Sequence, residues 1–365
     1  MSRLRILFVS RAYPPVVGGI ERQNFELARH LAQLADVTLV ANRHGKWILP
    51  LFLPWAIIKS LWLTRTQDLI LLGDGVLGLV GWFLKRFTRT PVVCILHGLD
   101  ITFPAPIYQQ LWVQRWIPSA DRFFPVSQET QRRAVALGIP AERCHTIPNG
   151  VDPAEFGAKV PRQELECLLG RPLAGRRLLL TVGRLIRRKG VAWFVDQVLP
   201  RLEPAVLYMI VGDGPERQAI SEAIDHHGLQ EQALLLGRVE GDIVCKLFGG
   251  VDIFIQPNIP VAGDMEGFGL VVLEASASGT PVVASRLEGL VDSVREGENG
   301  LLVTPGSAKA FGAAIQGLLA DEPRRRQLGE RARALVEAEY SWTAIAARYH
   351  RVCLELHTSN PMSNR

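Results

Sequence analysis

Residues 177–190, RLLLTVGRLIRRKG, pass from a short apolar run into a glycine-led turn that carries four cationic side chains. A continuous apolar run of this length, followed by a turn and then by a helix from near Gly190, is typical of a parallel β-strand that helices cover on both faces. The same unit recurs along the chain, and this recurrence predicts the fold.

Ten apolar runs of this kind alternate with stretches that include amphipathic helices over residues 20–34 and from residue 75. An irregular linker (153–176) separates the runs into two groups. The first group is RILFVS, DVTLVA, DLILLGD and PVVCILHG, and the second is RLLLTVG, VLYMIVG, ALLLG, DIFIQP, PVVAS and GLLV. The predicted fold class is α/β, with two Rossmann-like, doubly wound parallel-sheet domains and an interdomain cleft for the ligand.

The predicted domains are residues 1–165, residues 166–340, and a helical tail, 341–365, that crosses back to the first domain. A chain of 365 residues, 48% of them hydrophobic, is long enough for two cores. Its net charge of +5 is uneven, since residues 1–165 carry 19 Lys and Arg against 12 Asp and Glu. No basic run interleaved with stacking aromatics accompanies this excess, so we expect an anionic membrane surface or an anionic acceptor as partner, and no nucleic acid.

The five cysteines are scattered and form no Cys-x-x-Cys pair, so neither a zinc site nor a disulfide framework is predicted. The apolar run in MSRLRILFVSRAYPP is too short for a signal peptide and is predicted to be the first strand. Both features favour a cytoplasmic location.

Glycine-containing turns follow several predicted strands, where backbone amides and helix N-termini can bind an anion. Gly18 and Gly19 follow the first strand and open a helix, although an ordinary strand-to-helix turn would also use them. In GRLIRRKG (183–190), Arg184 and Lys189 lie around one turn. Such a pair of cations suits the diphosphate of a sugar nucleotide. Negative charge on the diphosphate grows as the sugar leaves, so two fixed cations stabilise the transition state more than the bound substrate.

The stretch EGFGLVVLE (266–274) holds two glutamates with seven residues between them. On one helix their carboxylates would lie roughly 12 Å apart along the axis. The two catalytic carboxyl groups of a glycosidase lie about 5 to 9.5 Å apart, so the better hypothesis is that the two glutamates bind different parts of one long ligand. Gly267 and Gly269 would free backbone amides at a helix N-terminus, and Glu266 would accept from sugar hydroxyls. Glu274 either accepts from a ribose or is an ordinary exposed helix glutamate.

The motifs GGIE, HGLD, IPNGVD, GRLIRRKG, VGDGP and the Glu-x7-Glu segment occur in this order. Together they resemble family 4 of the retaining nucleotide-sugar glycosyltransferases, which have the GT-B fold. The resemblance runs from about residue 5 to residue 340. It implies that residues 1–165 form the acceptor-side domain and that residues 166–340 bind the nucleotide sugar.

The resemblance also implies roles for the matching residues. Arg184 and Lys189 would bind the donor diphosphate, Glu266 and His97 would contact the donor sugar, and Glu274 would hold the ribose. The implied catalytic set is His97, Arg184, Lys189 and Glu266. The implied donor site is Gly18, Gly19, Gly183, Arg184, Lys189, Gly212, Arg238, Val239, Glu266, Gly267, Phe268, Gly269, Leu270 and Glu274.

Several residues have a second interpretation. His97 ends a predicted buried strand, where a histidine is often a hydrogen-bonded core residue. Asp100 either orients an acceptor hydroxyl or caps the next turn. Asp213 suits turn formation, and Arg187 and Arg188 suit a solvated basic turn.

The predicted activity is transfer of a sugar from a UDP- or GDP-sugar to a glycan or lipid-linked acceptor, with retention at the anomeric carbon. The product would belong to cell-surface polysaccharide, lipopolysaccharide or glycolipid biosynthesis. No obvious Asp-x-Asp sequence offers a metal site, and two cations with helix N-termini would balance the diphosphate, so no metal or other cofactor is expected. The alternatives are another GT-B enzyme, such as a nucleotide-sugar epimerase or a phosphorylase, and a catalytically silent subunit that binds sugar nucleotides.

The stretch WILPLFLPWAIIKSLWL (47–63) barely reaches the length of a membrane-spanning helix and contains two prolines. On helical spacing its three tryptophans share one side with Leu51 and Ile58, near several cations, which suits an anchor at a membrane interface. The alternative is an apolar helix packed inside the first domain. We expect peripheral attachment to the inner face of the cytoplasmic membrane.

Overall fold

The computed structural model describes residues 3–16, 18–157 and 159–359. The chain forms two compact units, each built on its own parallel β-sheet. The first unit comprises the chain up to Gly150, the short segment Gly263–Phe268 and the chain from Trp342 onward. The second comprises the remainder, from Val151 to Ser341.

Both sheets are doubly wound. The sheet of the first unit has the order β2-β1-β3-β4-β5, and that of the second has the order β11-β10-β9-β6-β7-β8. The strands of the first unit are β1 (Arg5–Ser10), β2 (Asp36–Ala41), β3 (Leu69–Leu72), β4 (Val92–Leu96) and β5 (Arg122–Pro125). Those of the second are β6 (Arg177–Val182), β7 (Val206–Val211), β8 (Ala233–Gly237), β9 (Ile253–Gln256), β10 (Val282–Ser285) and β11 (Gly300–Val303). All ten predicted strands are confirmed, and β5 is an addition.

Helices connect successive strands. In chain order they are α1 (Gly19–Leu34), α2 (Leu49–Leu63), α3 (Gly78–Phe87), α4 (Leu99–Thr102), α5 (Pro106–Tyr108), α6 (Gln128–Ala136), α7 (Pro153–Phe156), α8 (Arg162–Leu169), α9 (Val191–Gln197), α10 (Arg217–His226), α11 (Gly241–Gly250), α12 (Leu270–Ala277), α13 (Leu290–Ser293), α14 (Ala308–Ala320), α15 (Glu322–Leu335) and α16 (Trp342–Thr358). The segments Gln109–Trp116 and Val336–Tyr340 continue α5 and α15 as π-helix. Single 3-10 turns cover Lys46–Ile48, Thr64–Thr66, Gly75–Leu77, Ile117–Ser119, Ala141–Arg143, Arg187–Lys189 and Leu199–Arg201.

The strands are continuously apolar because each sheet is buried on both faces. In β1, Leu7 and Val9 point into a core shared with α2 and α3, and the alternating residues Ile6 and Phe8 are equally buried on the opposite face. In the second unit, strands β6, β7, β9 and β10 share a core with α9, α10 and α14.

The linker differs from the sequence prediction. It contains helices α7 and α8, and the predicted domain boundary at residue 165 falls inside α8. Within the predicted tail, 341–365, helix α16 packs against α1 in the first unit.

Each strand order has a switch point, which is where ligands of open parallel sheets bind, just beyond the carboxyl ends of the strands. In the first sheet the order reverses between β1 and β3, and in the second it reverses between β6 and β9. The loops that leave these four strands therefore decide where a site can form in each unit.

Candidate functional site

The cationic turn of the second unit leaves β6 at the switch point of its sheet. After Gly183 the chain forms a 3-10 turn, then Gly190 adopts the left-handed conformation (φ 66°), and α9 begins at Val191 as predicted. The side chain of Arg184 is exposed and that of Lys189 is half-buried. Both cations are therefore accessible to an anion at this edge of the sheet.

The neighbouring arginines differ from each other. Arg187 is exposed, in agreement with a solvated basic turn. The same interpretation is wrong for Arg188, which is 8% exposed. The carbonyl of Arg188 accepts a hydrogen bond from the amide of Ile259 (2.9 Å), which ties the turn to the loop after β9.

Glycines fix the position of this turn by close backbone packing. A Cβ on Gly190 would lie 2.0 Å from the carbonyl oxygen of Pro257, and one on Gly212 would lie 1.8 Å from the carbonyl oxygen of Gly183. Gly212 and Gly190 also have positive φ values, which side chains disfavour. The predicted donor residues Gly183 and Gly212 thus hold the strand ends together, and this packing leaves Arg184 and Lys189 on a rigid base.

The loops after β7 and β8 meet through a pair of charges. Arg238 Nε lies 4.0 Å from Asp213 Oδ2, and the Arg238 side chain is mostly exposed. Asp213 Oδ1 also accepts from the amide of Gly214 (2.9 Å), so the predicted turn role of Asp213 is confirmed. Val239, next in the chain, is half-buried between β8 and α11.

The stretch EGFGLVVLE is helical only in its second half. Helix α12 begins at Leu270 after Gly269, which is left-handed (φ 81°) and whose added Cβ would lie 2.6 Å from Leu290. Glu266 therefore precedes the helix, and the spacing calculated for two glutamates on one helix does not apply. Glu274 is only 9% exposed, so the interpretation of Glu274 as an ordinary exposed helix glutamate is wrong.

The first half of the same stretch packs within the first unit. Glu266 and Phe268 are buried, and a Cβ on Gly267 would lie 2.2 Å from the carbonyl oxygen of His97. Gly98 is in the left-handed region at φ 101°, and a Cβ on it would lie 3.3 Å from Met265 Cε and 3.5 Å from Gly267 Cα. Two facing glycines thus let this segment rest directly on the end of β4.

His97 is half-buried at the carboxyl end of β4, and its ring is oriented by the neighbouring loop. Its Nε2 atom lies 3.0 Å from the carbonyl oxygen of Gly73, just after β3. A carbonyl only accepts, so Nε2 carries the proton and Nδ1 of the neutral ring holds a lone pair. The ring is hydrogen-bonded, as a core histidine would be, but it sits at the strand end where a ligand can reach it.

Asp100 caps the loop that carries His97. Its carboxylate accepts from the amides of Gly75 (2.9 Å), His97 (3.0 Å) and Gly98 (2.9 Å), and its side chain is 6% exposed. Burial raises the pKa of Asp100, and the hydrogen bonds from the backbone amides of Gly75 and His97 oppose that shift. These contacts favour the turn-capping role over direct binding of an acceptor hydroxyl.

An ion pair that no sequence motif predicts lies at the switch point of the first sheet. Arg11 follows β1, and its Nε lies 2.7 Å from Oδ2 of the fully buried Asp74, which follows β3. The charge of Asp74 raises the pKa of Arg11. The sequence signal for a buried carboxylate here is Gly73-Asp74-Gly75 at the end of a strand. The ion pair of Arg11 and Asp74 fixes the loop whose Gly73 carbonyl accepts the hydrogen bond from His97.

Gly18 and Gly19 lie where a helix starts. Helix α1 begins at Gly19, and Gly18 is extended (φ 172°) with no side chain to cap the first amides. A Cβ on Gly18 would lie 2.1 Å from Glu21 Oε2. The 16-residue helix therefore places its positive dipole end beside β1, and the carboxylate of Glu21 lies close to Gly18 at that same end.

The predicted residues thus form two groups, one on each unit. The first unit holds Gly18, Gly19, His97, Asp100, Glu266, Gly267 and Phe268, and the second holds Gly183, Arg184, Lys189, Gly212, Arg238, Val239, Gly269, Leu270 and Glu274. Within residues 3–16, 18–157 and 159–359, no group of three or more His, Cys, Asp or Glu side chains is placed to hold a metal ion.

Comparison with known proteins matches both units to sequence families. Residues 17–155 match the family model described as Glycosyltransferase Family 4, and residues 171–335 match the model described as Glycosyl transferases group 1. The chain is 31% identical to a GDP-mannose-dependent alpha-(1-6)-phosphatidylinositol monomannoside mannosyltransferase of Mycobacterium tuberculosis, over 70% of this chain and 68% of that protein. It is 33% identical to a lipopolysaccharide core biosynthesis glycosyltransferase of Rhizobium meliloti, over half of each chain.

Among solved structures, the Anabaena protein HepE in complex with UDP superposes with a TM-score of 0.79 at 22% identity, covering 96% of this chain and all of that one. This likeness shows a GT-B architecture, in agreement with the two doubly wound sheets. Together with the matched families and the mycobacterial relative, it establishes that the chain belongs to the family 4 (group 1) glycosyltransferases of GT-B fold.

Proposed function

We propose that this protein transfers a sugar from a UDP- or GDP-sugar to a glycan or lipid-linked acceptor, with retention at the anomeric carbon. The observation that carries the proposal is the cationic turn 183–190, which two glycine contacts hold at the switch point of the second sheet. The relatives support a nucleotide sugar as the donor, since one is named as GDP-mannose-dependent and HepE was solved in complex with UDP. The acceptor would belong to polysaccharide, lipopolysaccharide or glycolipid biosynthesis on the cytoplasmic side of the membrane.

In the proposed mechanism the second unit binds the nucleotide. Arg184 and Lys189 contact the diphosphate, and their interaction strengthens as the bond to the sugar breaks and negative charge collects on the leaving group. Glu274 accepts hydrogen bonds from the ribose hydroxyls. A buried carboxylate suits this role because a ribose presents two donors that would replace water around the charge.

The first unit supplies groups for the sugar. Glu266 accepts from sugar hydroxyls, with the amide of Phe268 in the same segment, and the Nδ1 atom of His97 accepts from another hydroxyl. The acceptor oxygen attacks on the face from which the diphosphate leaves, and a phosphate oxygen takes its proton. Two side-chain cations and helix N-terminal amides neutralise the leaving group, so the reaction is proposed to need no metal.

The nucleotide-binding step is testable without knowledge of the acceptor. Thermal shift and calorimetric titration with UDP, GDP, ADP and their sugars identify the base and sugar that bind best. We expect Lys189→Ala and Arg184→Ala each to weaken that binding about 10- to 150-fold, because a charge-assisted hydrogen bond contributes roughly 1.5 to 3 kcal/mol. Arg187→Ala is the matched control, since Arg187 is an exposed cation of the same turn.

Equal losses in all three variants would mean that only the net charge of the turn matters, and unchanged affinity in the first two would remove the proposed diphosphate site. Tight binding of a nucleotide sugar with no transfer or hydrolysis of it would point to a silent binding subunit instead.

A further inference from the structure

One layer of helices in the first unit has an outer face that the glycosyl-transfer site does not use. The layer consists of α2, α3 and α5 with its π-helical continuation, and all three pack on the same face of the sheet as one core. We call the outward side chains of these helices and of their flanking turns the outer helical surface. It belongs wholly to the first unit.

Helix α2 divides sharply into an inner and an outer side. Phe52, Leu53, Ala56 and Ser60 are buried against the sheet. The outer side chains of α2 and of the 3-10 turn before it are Trp47 (87% exposed), Leu51 (74%), Trp55 (49%), Ile58 (70%) and Trp62 (69%). With roughly 150 to 250 Å² per aromatic side chain, the tryptophans alone present on the order of 300 to 500 Å². Leu51 and Ile58 add to that, so the patch is comparable to or larger than the largest apolar patch of a typical monomer, about 300 to 600 Å², and patches of that size are often functional.

The charge on this surface has one sign. Residues 37–67, 75–99 and 101–120 contain no Asp or Glu. They contain eight cations, namely Arg43, Lys46, Lys59, Arg65, Lys85, Arg86, Arg89 and Arg115. Lys85 pairs with Asp121 at the edge of the layer.

Several of these cations lie over tryptophan rings at the border of the apolar patch. Lys46 lies 5.5 Å from the ring centroid of Trp47, and Lys59 lies 5.6 Å from that of Trp62. Arg86 of α3 and Arg115 of the π-helical continuation of α5 both approach the ring of Trp82 on α3, at 4.4 Å and 5.5 Å from its centroid. Tryptophan beside lysine or arginine, with aliphatic residues between, is the chemistry that matches the headgroup region of a bilayer with anionic lipids.

We propose that the outer helical surface binds an anionic lipid bilayer, with α2 lying in the plane of the headgroups. The segment Lys46–Thr66, at 21 residues, is long and apolar enough to cross a membrane by length and composition. It does not cross in this fold, because Phe52, Leu53 and Ala56 fill the core under the sheet. A second copy of the chain is a poor occupant, because two acid-free cationic faces repel each other.

This proposal is tested independently of the proposed transfer reaction, because lipid binding is measured without a nucleotide sugar or an acceptor. The full-length protein is sedimented with phosphatidylcholine vesicles prepared with and without phosphatidylglycerol. We expect binding to be at least about tenfold stronger when phosphatidylglycerol is present, and to weaken as salt is raised, because several cations lie near the lipid surface.

Substitutions separate the apolar and the charged contributions. The pair Trp55→Ser and Trp62→Ser should weaken binding to the anionic vesicles about tenfold or more. The control pair Val291→Ser and Leu354→Ser removes two exposed apolar side chains outside this surface, at 43% and 42% exposure, and should bind as the parent does. All these side chains are exposed, and a thermal melt of each variant checks that it folds.

A second pair, Arg86→Gln with Arg115→Gln, should remove much of the preference for phosphatidylglycerol, and Arg331→Gln, an exposed cation of α15, should not. The proposal is overturned if the parent binds neither vesicle or if the serine control pair loses as much binding as the tryptophan pair. It is also overturned if only detergent, and not high salt, releases the parent, or if the surface mediates dimerisation without lipid.

Discussion

Replacing Gly267 with alanine tests whether the segment before α12 is part of the reaction site. The backbone of Gly267 is not left-handed, so alanine is not excluded by its conformation. The obstacle is steric, because the new Cβ would lie 2.2 Å from the carbonyl oxygen of His97, whereas real Cβ atoms essentially never come closer than 3.0 Å. The segment or the end of β4 must therefore shift by at least about 0.8 Å.

The expected consequence is a large loss of rate with a smaller loss of stability. A misplacement of about 1 Å in a positioned group costs roughly 10²-fold in rate. We expect kcat of Gly267→Ala to fall about 100-fold, since the proposed sugar contacts of Glu266 and His97 lie on the two segments that are forced apart. Overpacking of this kind costs about 1 to 3 kcal/mol in unfolding free energy, which chemical denaturation measures.

The assay follows sugar transfer, or slow hydrolysis of the nucleotide sugar, with the donor identified by the binding panel. Gly317→Ala is the control, because its added Cβ meets nothing within 4 Å and it lies in α14 of the other unit. Affinity for the nucleoside diphosphate should stay near the parent value, because the proposed diphosphate turn lies in the second unit. A folded Gly267→Ala protein with the parent's kcat would show that this segment does not position the sugar.

Two further outcomes follow from the site. Asp100→Ala should lower the unfolding free energy by at least about 3 kcal/mol, because three amides lose a charged acceptor; a stable variant with a raised KM for acceptor alone would favour direct acceptor binding instead. Removal of divalent metals with a chelator should leave the transfer rate unchanged, and loss of turnover that added Mg²⁺ or Mn²⁺ restores would refute the metal-free proposal.

Most of the fold was readable because both sheets are parallel and buried. Such strands are continuous apolar runs, and ten of them stood out between turn residues. Strand β5, RFFP, is not predicted because it has four residues, begins with arginine and ends with proline. Helix α8 is not predicted, although Pro161 precedes it and the left-handed Gly170 ends it, because it has only eight residues and buries only Leu165.

Less of the site than of the fold can be predicted from the sequence, because part of the site is formed by residues from different strands. A motif gives the residue types and their order along one segment, so the sequence predicts the cationic turn and the glycines beside it. The support of His97 comes from Arg11, Asp74 and Asp100, which leave three different strands and meet only when those strands lie side by side in the order β1-β3-β4. The chain order alone does not reveal that β3 lies between β1 and β4. When β3 lies there, the Asp74 carboxylate pairs with Arg11, and the Asp100 carboxylate accepts hydrogen bonds from three backbone amides. The loop that carries His97 is therefore held in place before any ligand binds.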